Sequence, residues 1–360
     1  MKKKRVLLGM SGGIDSSLAA ILLLDQGYDV VGLTMKMWDD IDKDPRHNSN
    51  GSHATDSVHE AKAVAEHLNI KHYTENIVDE FNQTVVCNFI NEYLDGKTPN
   101  PCVLCNTKIK WNVLLRKADE LNCDFIATGH YAQIIKTDSK YSIKRAKDLK
   151  KDQSYFLWGL TQDILKKSLL PLGKYTKDEI RNMAAEKGFV KLAQKKESQE
   201  ICFIPDNDYR KYLKTNVPEI TQKVGTGNFI SINGEYLGKH EGYPFYTIGQ
   251  RKGLKIALGE PMYVLKINAK TNEIVLGQRG ELYKKELWVK NYHLINDIPT
   301  NTEIEVITKV RYKSEGVKST IKIEGSVIKV FFQKEVFAIT PGQSAVFYKN
   351  DMLLGGGIIV

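Results

Sequence analysis

Short strand-like runs bounded by polar or glycine positions recur at 3–9, 29–35, 71–75 and 124–128, apolar at their centres except for KHYTE at 71–75. Between them lie the stretches 15–26, 56–68, 77–94 and 107–121, whose apolar residues repeat at helical spacing. This alternation predicts an α/β fold, a doubly wound parallel sheet with helices on both faces. Ligands of such sheets bind beyond the C-terminal strand ends. The turn 11–17, Met35 and Ala127-Thr128-Gly129-His130 fall there. A further helix is expected over 176–187, with Thr176 as N-cap and Gly188 as its stop. The polar segment 39–55 reads as a mobile loop.

After about residue 208 the texture changes to short strands and turns. Asn233-Gly234 between GNFISI and EYLGKH is a hairpin signal. The alternating runs PMYVLKIN and NEIVLG follow, and from about 284 the chain reads as all-β, of a size for a small closed barrel or sandwich. No internal repeat or low-complexity tract interrupts this order.

A length of 360 residues exceeds one ordinary core, so two or three domains are expected. Apolar residues make up 42%, enough for packed domains, yet no segment approaches the roughly 20 apolar residues of a membrane span. MKKKRVLLGMSGG lacks the long apolar region of a signal peptide. A cytoplasmic protein without membrane contact is expected. The net charge of +9 suits a polyanionic partner without requiring one. The cysteines are Cys87, Cys102, Cys105, Cys123 and Cys202. An odd count without an export signal favours reduced thiols over a disulfide scaffold.

SGGIDSS, residues 11–17, joins the first strand to the first helix. Bare backbone N–H groups and the positive end of a helix macrodipole favour an anion at such a turn, although SGG can also simply cap a helix. The lysine of the Walker loop and the spacing of GxGxxG are both missing. The loop resembles that of the PP-loop ATP pyrophosphatases, which holds the β,γ-pyrophosphate of ATP while chemistry occurs at the α-phosphate. That resemblance implies ATP and Mg²⁺ as cofactors, adenylation of a substrate oxygen, and displacement of AMP by a nucleophile.

In TPNPCVLCNTKIKW, residues 98–111, the prolines and Asn100 predict a loop carrying Cys102 and Cys105. Half a zinc knuckle, a redox pair and a reactive thiol are all compatible with it. In KKESQEICFIPD, residues 195–206, Lys195 and Lys196 would favour a thiolate at Cys202, whereas Ile201 and Phe203 would suit a buried structural cysteine. Cys87 and Cys123 lie in apolar contexts and read as packing residues.

The loop, PCVLCN and EICFIP occur in that order. ATGHYA (127–132) and KDQSYFLWGL (151–160) stand between them, and GYPFYTIGQRKGL (242–254), VRY (310–312) and TPGQSAVFY (340–348) follow. This series resembles, over nearly the full chain, the bacterial tRNA-uridine 2-sulfurtransferases, or tRNA-specific 2-thiouridylases. The resemblance implies a PP-loop catalytic domain at 1–207, a small mostly β central domain at 208–278 and a C-terminal β-barrel at 279–360. It implies Cys105 as nucleophile and Cys202 as persulfide carrier, joined in a transient disulfide. ATP contacts would fall on Gly9, Met10, Ser11, Gly12, Gly13, Ile14, Asp15, Ser16, Met35 and Gly129. Asn100, Pro101 and Cys102 would meet the target base. His130, Lys151, Asp152, Gln153, Arg311, Tyr312 and Gln343 would contact tRNA.

The implied reaction is 2-thiolation of the wobble uridine in the anticodon loop, with a persulfide sulfur-donor protein as second partner. Many members carry an aspartate where this chain has Cys102. A third sulfur opens a second route to the same product, through a [4Fe–4S] cluster on Cys102, Cys105 and Cys202. The rival functions are an amidating PP-loop synthetase and a non-catalytic RNA-binding protein.

Overall fold

The computed structural model describes residues 3–38, 54–138, 140–194, 201–204, 207–256, 259–296 and 302–360. Two compact units are present: Met1–Val85 with Cys102–Asp206 and Asp351–Leu354, and Val86–Pro101 with Asn207–Asn350 and Gly355–Val360.

In the first unit, β1 (Arg5–Gly9), β2 (Asp29–Lys36), β3 (Lys71–Asn76), β4 (Phe125–Ala127) and a two-residue β7 (Ser168–Leu169) form a parallel sheet in the order β3-β2-β1-β4-β7. Val6, Leu7 and Leu8 of the central strand are 0% exposed. A strand covered on both faces reads as a continuous apolar run, which is how β1 was legible. The helices are α1 (Ile14–Asp25), α2 (Ala54–His67), α3 (Val78–Phe81), α4 (Cys87–Leu94), α5 (Pro101–Leu104), α6 (Trp111–Glu120), α7 (Gln162–Lys167), α8 (Lys177–Glu186) and α9 (Val190–Gln194). Of these, α4 belongs to the second unit. Helix α1 buries every residue from Ser16 to Leu23, packed between the sheet on one side and α8 with the turn at Pro171–Lys174 on the other. Helix α8 starts as expected: Thr176 accepts from the Glu179 amide, and Glu179 accepts from the Thr176 amide.

Three features depart from expectation. The stretch 77–94 is interrupted by a π-helical turn at Asn82–Val86. The loop expected around Cys102 and Cys105 is helical: Pro101 opens α5, and a π-helical turn at Cys105–Lys110 leads into α6. Proline suits a first helical position, where its missing N–H has no partner to lose. The hairpin β5 (Ala132–Thr137) and β6 (Lys140–Arg145) follows β4, and Ile143 and Lys144 pair with Leu353 and Met352. Of the expected loop at 39–55, residues 39–53 lie outside the described ones, and Ala54-Thr55 begin α2.

The second unit does not turn to strands directly at 208, because α10 (Tyr209–Asn216) and α11 (Ile220–Val224) come first. Then β8 (Gly227–Ser231), β9 (Tyr236–His240), β10 (Tyr263–Asn268) and β11 (Glu273–Gly277) form a sheet in the order β10-β11-β8-β9. The β8–β9 turn carries Gly234 at φ +85°, the left-handed conformation that Asn-Gly supplies cheaply. Strands β12 (Tyr283–Leu294), β13 (Glu303–Lys309), β14 (Val317–Glu324), β15 (Val327–Phe337), β16 (Ser344–Lys349) and β17 (Met352–Ile359) run in the order β12-β15-β14-β13-β16-β17. Pairing of β12 with β17 closes them into a six-stranded barrel.

Candidate active site

The glycine-rich turn lies between the C-terminal end of β1 and the start of α1. Gly13 is the N-cap, and no side chain caps the helix there. The first-turn N–H groups are therefore left to another acceptor. Ser16 Oγ accepts from the Ser11 amide at 3.1 Å, and the Ser16 and Ser17 hydroxyls both donate to Gly13 O. Gly12 sits at φ +73°, and a side chain there would meet Glu60 Cβ and Ser57 O at 2.8 Å. Gly129, beyond β4, passes so close to α1 that a Cβ would lie 3.0 Å from the Asp15 carbonyl carbon and the Ser16 nitrogen. Met10 and Ile14 are 3% and 6% exposed, so at this turn their side chains are withdrawn into the core. Met35 is half-buried near the end of β2.

Asp15 is not isolated. Its Oδ1 accepts from Tyr131 Oη and from Lys177 Nζ, each at 2.7 Å. Lys177 is 4% exposed, and its ammonium lies 5.6 Å from the Tyr131 ring centre. The Asp15 side chain keeps 34% exposure. Magnesium commonly takes one or two carboxylates together with phosphate oxygens, and Asp15 fits that modest demand.

The same unit holds the three cysteines of interest. Cys105 is buried, Cys102 half-buried and Cys202 exposed, and all are free thiols. Cys202 sits on a short segment anchored by Phe203, whose ring packs edge-on against Phe81 at 5.5 Å, and by buried Ile204. Desolvation pushes the Cys102 thiol up to about 11, and Cys105 adds to the shift. Desolvation also raises Cys105. Surrounding protein atoms push Cys202 up to about 12, with Cys102 and Cys105 contributing next, and water at its exposed surface offsets part of that penalty. These mutual electrostatic effects put the three sulfurs in one neighbourhood. Lys110 opposes the rise at each of them.

Among the described residues nothing lowers the Cys202 thiol below its ordinary range; Lys110 only opposes the rise that desolvation causes. Lys195 and Lys196, invoked for a thiolate at Cys202, lie outside the described residues. Among the described residues, no three His, Cys, Asp or Glu side chains stand together in a metal-holding group. Cys87, expected in packing, is exposed, whereas Cys123 is buried.

Three family models cover the chain: a tRNA methyl transferase HUP domain over residues 4–206, a tRNA methyl transferase PRC-barrel domain over 211–278 and an aminomethyltransferase beta-barrel domain over 284–359. Over 361 residues the chain is 51% identical to the tRNA-specific 2-thiouridylase MnmA of Amoebophilus asiaticus (strain 5a2), covering 100% of this chain and 96% of that protein. The chain belongs to the tRNA-specific 2-thiouridylase family. Members from Cytophaga hutchinsonii and Clostridium perfringens are 49% and 45% identical, each covering at least 99% of this chain and at least 98% of the relative. A solved 4-thiouridine synthetase–RNA complex with bound ATP is similar at a TM-score of 0.36 and 17% identity, over 60% of this chain and 51% of that one. That likeness is too slight to carry an argument. No described helix is long and apolar enough to cross a membrane.

Residues that the family resemblance assigns to tRNA have other commitments in this fold. Asp152 is 2% exposed and accepts from the Ala146 and Ser154 amides, the Ser154 hydroxyl and Arg145 Nε. His130 is 9% exposed, its Nδ1 lies 2.8 Å from Thr128 Oγ1, and burial drives its pKa well down, so it is neutral. Gln153 Oε1 accepts from the Tyr131 amide. Arg311, just past β13, donates to Phe337 O and Ala338 O. Gln343 Nε2 donates to Thr98 O and Pro99 O, which orients the chain leading into Asn100-Pro101. Lys151 and Tyr312 are half-buried.

Sequence reasoning missed Lys177, Tyr131 and Lys110. Nothing local marks Lys177, 162 positions from Asp15. Tyr131 and Lys110 lay inside the quoted motifs ATGHYA and CNTKIK, unassigned. Asn106 follows Cys105, and its buried Oδ1 has no partner among the described residues.

Proposed function

We propose that this chain uses ATP to replace the C2 oxygen of the wobble uridine, position 34 of tRNA, with sulfur. The observation that supports it most is the presence, in one compact unit, of an uncapped glycine-rich helix N-terminus and three neighbouring sulfurs. Relatives that match over the whole chain carry the name tRNA-specific 2-thiouridylase, which makes tRNA the substrate class.

The backbone of Gly9, Met10, Ser11, Gly12, Gly13 and Ile14, with Asp15, Ser16, Met35 and Gly129, would hold ATP. A bound Mg²⁺ would screen the phosphate charge beside Asp15. The uridine O2 attacks the α-phosphorus and pyrophosphate leaves, which turns a poor leaving oxygen into adenylate. The terminal sulfur of a Cys202 persulfide then bonds to C2, and AMP departs. Cys105, after losing its proton, attacks Cys202 Sγ. The S–S bond to the transferred sulfur breaks, 2-thiouridine is released and a Cys105–Cys202 disulfide remains. A cellular thiol reductant must supply two electrons to reopen it, and a persulfide donor protein must reload Cys202. Lys110 favours the thiolate that Cys105 needs. The base must be unstacked at a cost of about a few kcal/mol, and Asn100, Pro101 and Cys102 would receive it. Lys151, by its charge, and Tyr312, by its ring and hydroxyl, suit phosphate or ribose contact. The charge of +9 fits an RNA partner.

Cys202→Ser should bind ATP and tRNA normally and yield no 2-thiouridine when tRNA nucleosides are analysed by mass spectrometry. Thiolation by that variant would remove Cys202 from the reaction. Persulfide found on Cys105 instead would reverse the two roles.

A further inference from the structure

We propose that Tyr131 and Gln153 form a positioning relay that sets the Asp15 carboxylate for magnesium-bound ATP. The inference rests on the reading of the glycine-rich turn as the ATP site. Its basis is a chain of short contacts. Gln153 grips the backbone of Tyr131 from both sides: its Oε1 accepts from the Tyr131 amide at 2.9 Å, and its own backbone amide donates to Tyr131 O at 2.7 Å. Tyr131 is 3% exposed, so the ring has little room to turn. Its hydroxyl and the Lys177 ammonium meet the same oxygen of Asp15, each at 2.7 Å. Asp152, saturated by four donors, shapes the turn that presents Gln153.

Each link has a separate physical consequence. Without the Tyr131 hydroxyl, Asp15 keeps its ion pair but loses a charge-assisted hydrogen bond that fixes its rotamer. Without the Gln153 side chain, the Tyr131 amide loses its acceptor beneath a buried ring. Among the described residues the side chain of Gln153 is seen as an acceptor, so a carboxylate at that position preserves the link. A residue that served only as an RNA contact would behave in the opposite way, because a carboxylate there repels phosphate. The 151–153 turn therefore ties a segment assigned to tRNA directly to the ATP loop.

The test is equilibrium binding of ATP, with and without Mg²⁺ and in the absence of tRNA, by isothermal titration calorimetry. Tyr131→Phe and Gln153→Ala should raise the dissociation constant of Mg·ATP by about ten-fold, the scale of one hydrogen bond to a charged group. Magnesium-free ATP should be affected less. Gln153→Glu should stay within about two-fold of the parent, well inside that scale. Tyr131→Phe indistinguishable from the parent, or Gln153→Glu as weak as Gln153→Ala, would overturn the relay while leaving the ATP site in place. Failure of the parent protein itself to bind ATP would remove the ATP site and the relay with it.

Discussion

Asp152→Ala should destabilise the fold rather than merely weaken tRNA binding. The side chain is 1% exposed, and it accepts from the Ala146 amide, the Ser154 amide, the Ser154 hydroxyl and Arg145 Nε. Removing it strands several buried donors at once. Breaking a buried ion pair from one side costs about 3–5 kcal/mol, and each stranded donor about 1–3 kcal/mol if nothing relaxes. These effects overlap, because the turn can shift and admit water, so about 3–5 kcal/mol is expected for the whole substitution. For a domain of 150–250 residues that corresponds to a Tm lower by roughly 6–20 °C. Asp152→Asn keeps one acceptor and the shape but loses the charge, and should fall between the parent and Asp152→Ala. Thermal unfolding followed by circular dichroism measures both, and tRNA affinity is read well below the lowered Tm. A Tm shift under about 2 °C together with lost tRNA affinity would refute the reasoning and restore Asp152 as a direct RNA contact.

Folding raises the thiols of Cys102, Cys105 and Cys202 above the ordinary value of 9.0. The unfolded chain therefore gives up these protons first. The stability contribution is complete below about pH 9 and is lost as pH rises through about 11 and about 12 at Cys102 and Cys202. Alkylation of Cys105 by iodoacetamide should still be climbing with pH above 8, and Lys110→Ala should slow it by about two- to five-fold. An unchanged rate would remove Lys110 from the site. Cys102→Asp should keep most thiolation activity and the anaerobically purified parent should be colourless and free of iron. A stoichiometric iron–sulfur cluster needed for turnover and lost in Cys102→Ala would overturn that.

The sheet was legible because β1 and β2 are buried on both faces and so read as unbroken apolar runs. The start of α8 was legible because Thr176 and Glu179 carry their capping chemistry locally. Strand β7 was not, because two residues, Ser168 and Leu169, leave no periodicity to detect. The helix at Pro101 was missed because a proline signals a break when it is read within a pattern but a start when it is read at a first position. The second π-helical turn, at Cys105–Lys110, changes no residue type and leaves no mark in the sequence. At the site, the glycines and cysteines stood out because few other roles suit them at such spacing. Lys177, Tyr131 and Gln153 work through contacts 22–162 positions apart, set only by the fold.

The lysine missing from the loop shows how much that matters. SGGIDSS offers backbone N–H groups and a helix N-terminus, yet it also carries a carboxylate. By itself, Asp15 would repel a polyanion from the proposed ATP site. The fold answers with Lys177, brought in by α8 and held at 2.7 Å from Asp15 Oδ1. Paired, the two groups are close to neutral, so the dipole of α1 acts on the anion largely unopposed. With Lys177 4% exposed and the Asp15 side chain 34% exposed, the cation is the more deeply buried of the two and the carboxylate is the one that keeps solvent contact. That order suits a metal-bound phosphate better than a bare one, because the more exposed group is an oxygen acceptor. A Walker lysine reaches toward phosphate directly, whereas here the cation acts through the carboxylate it supports. The positioning of Asp15 then becomes the point of control, and Tyr131 is the neutral group that shares it.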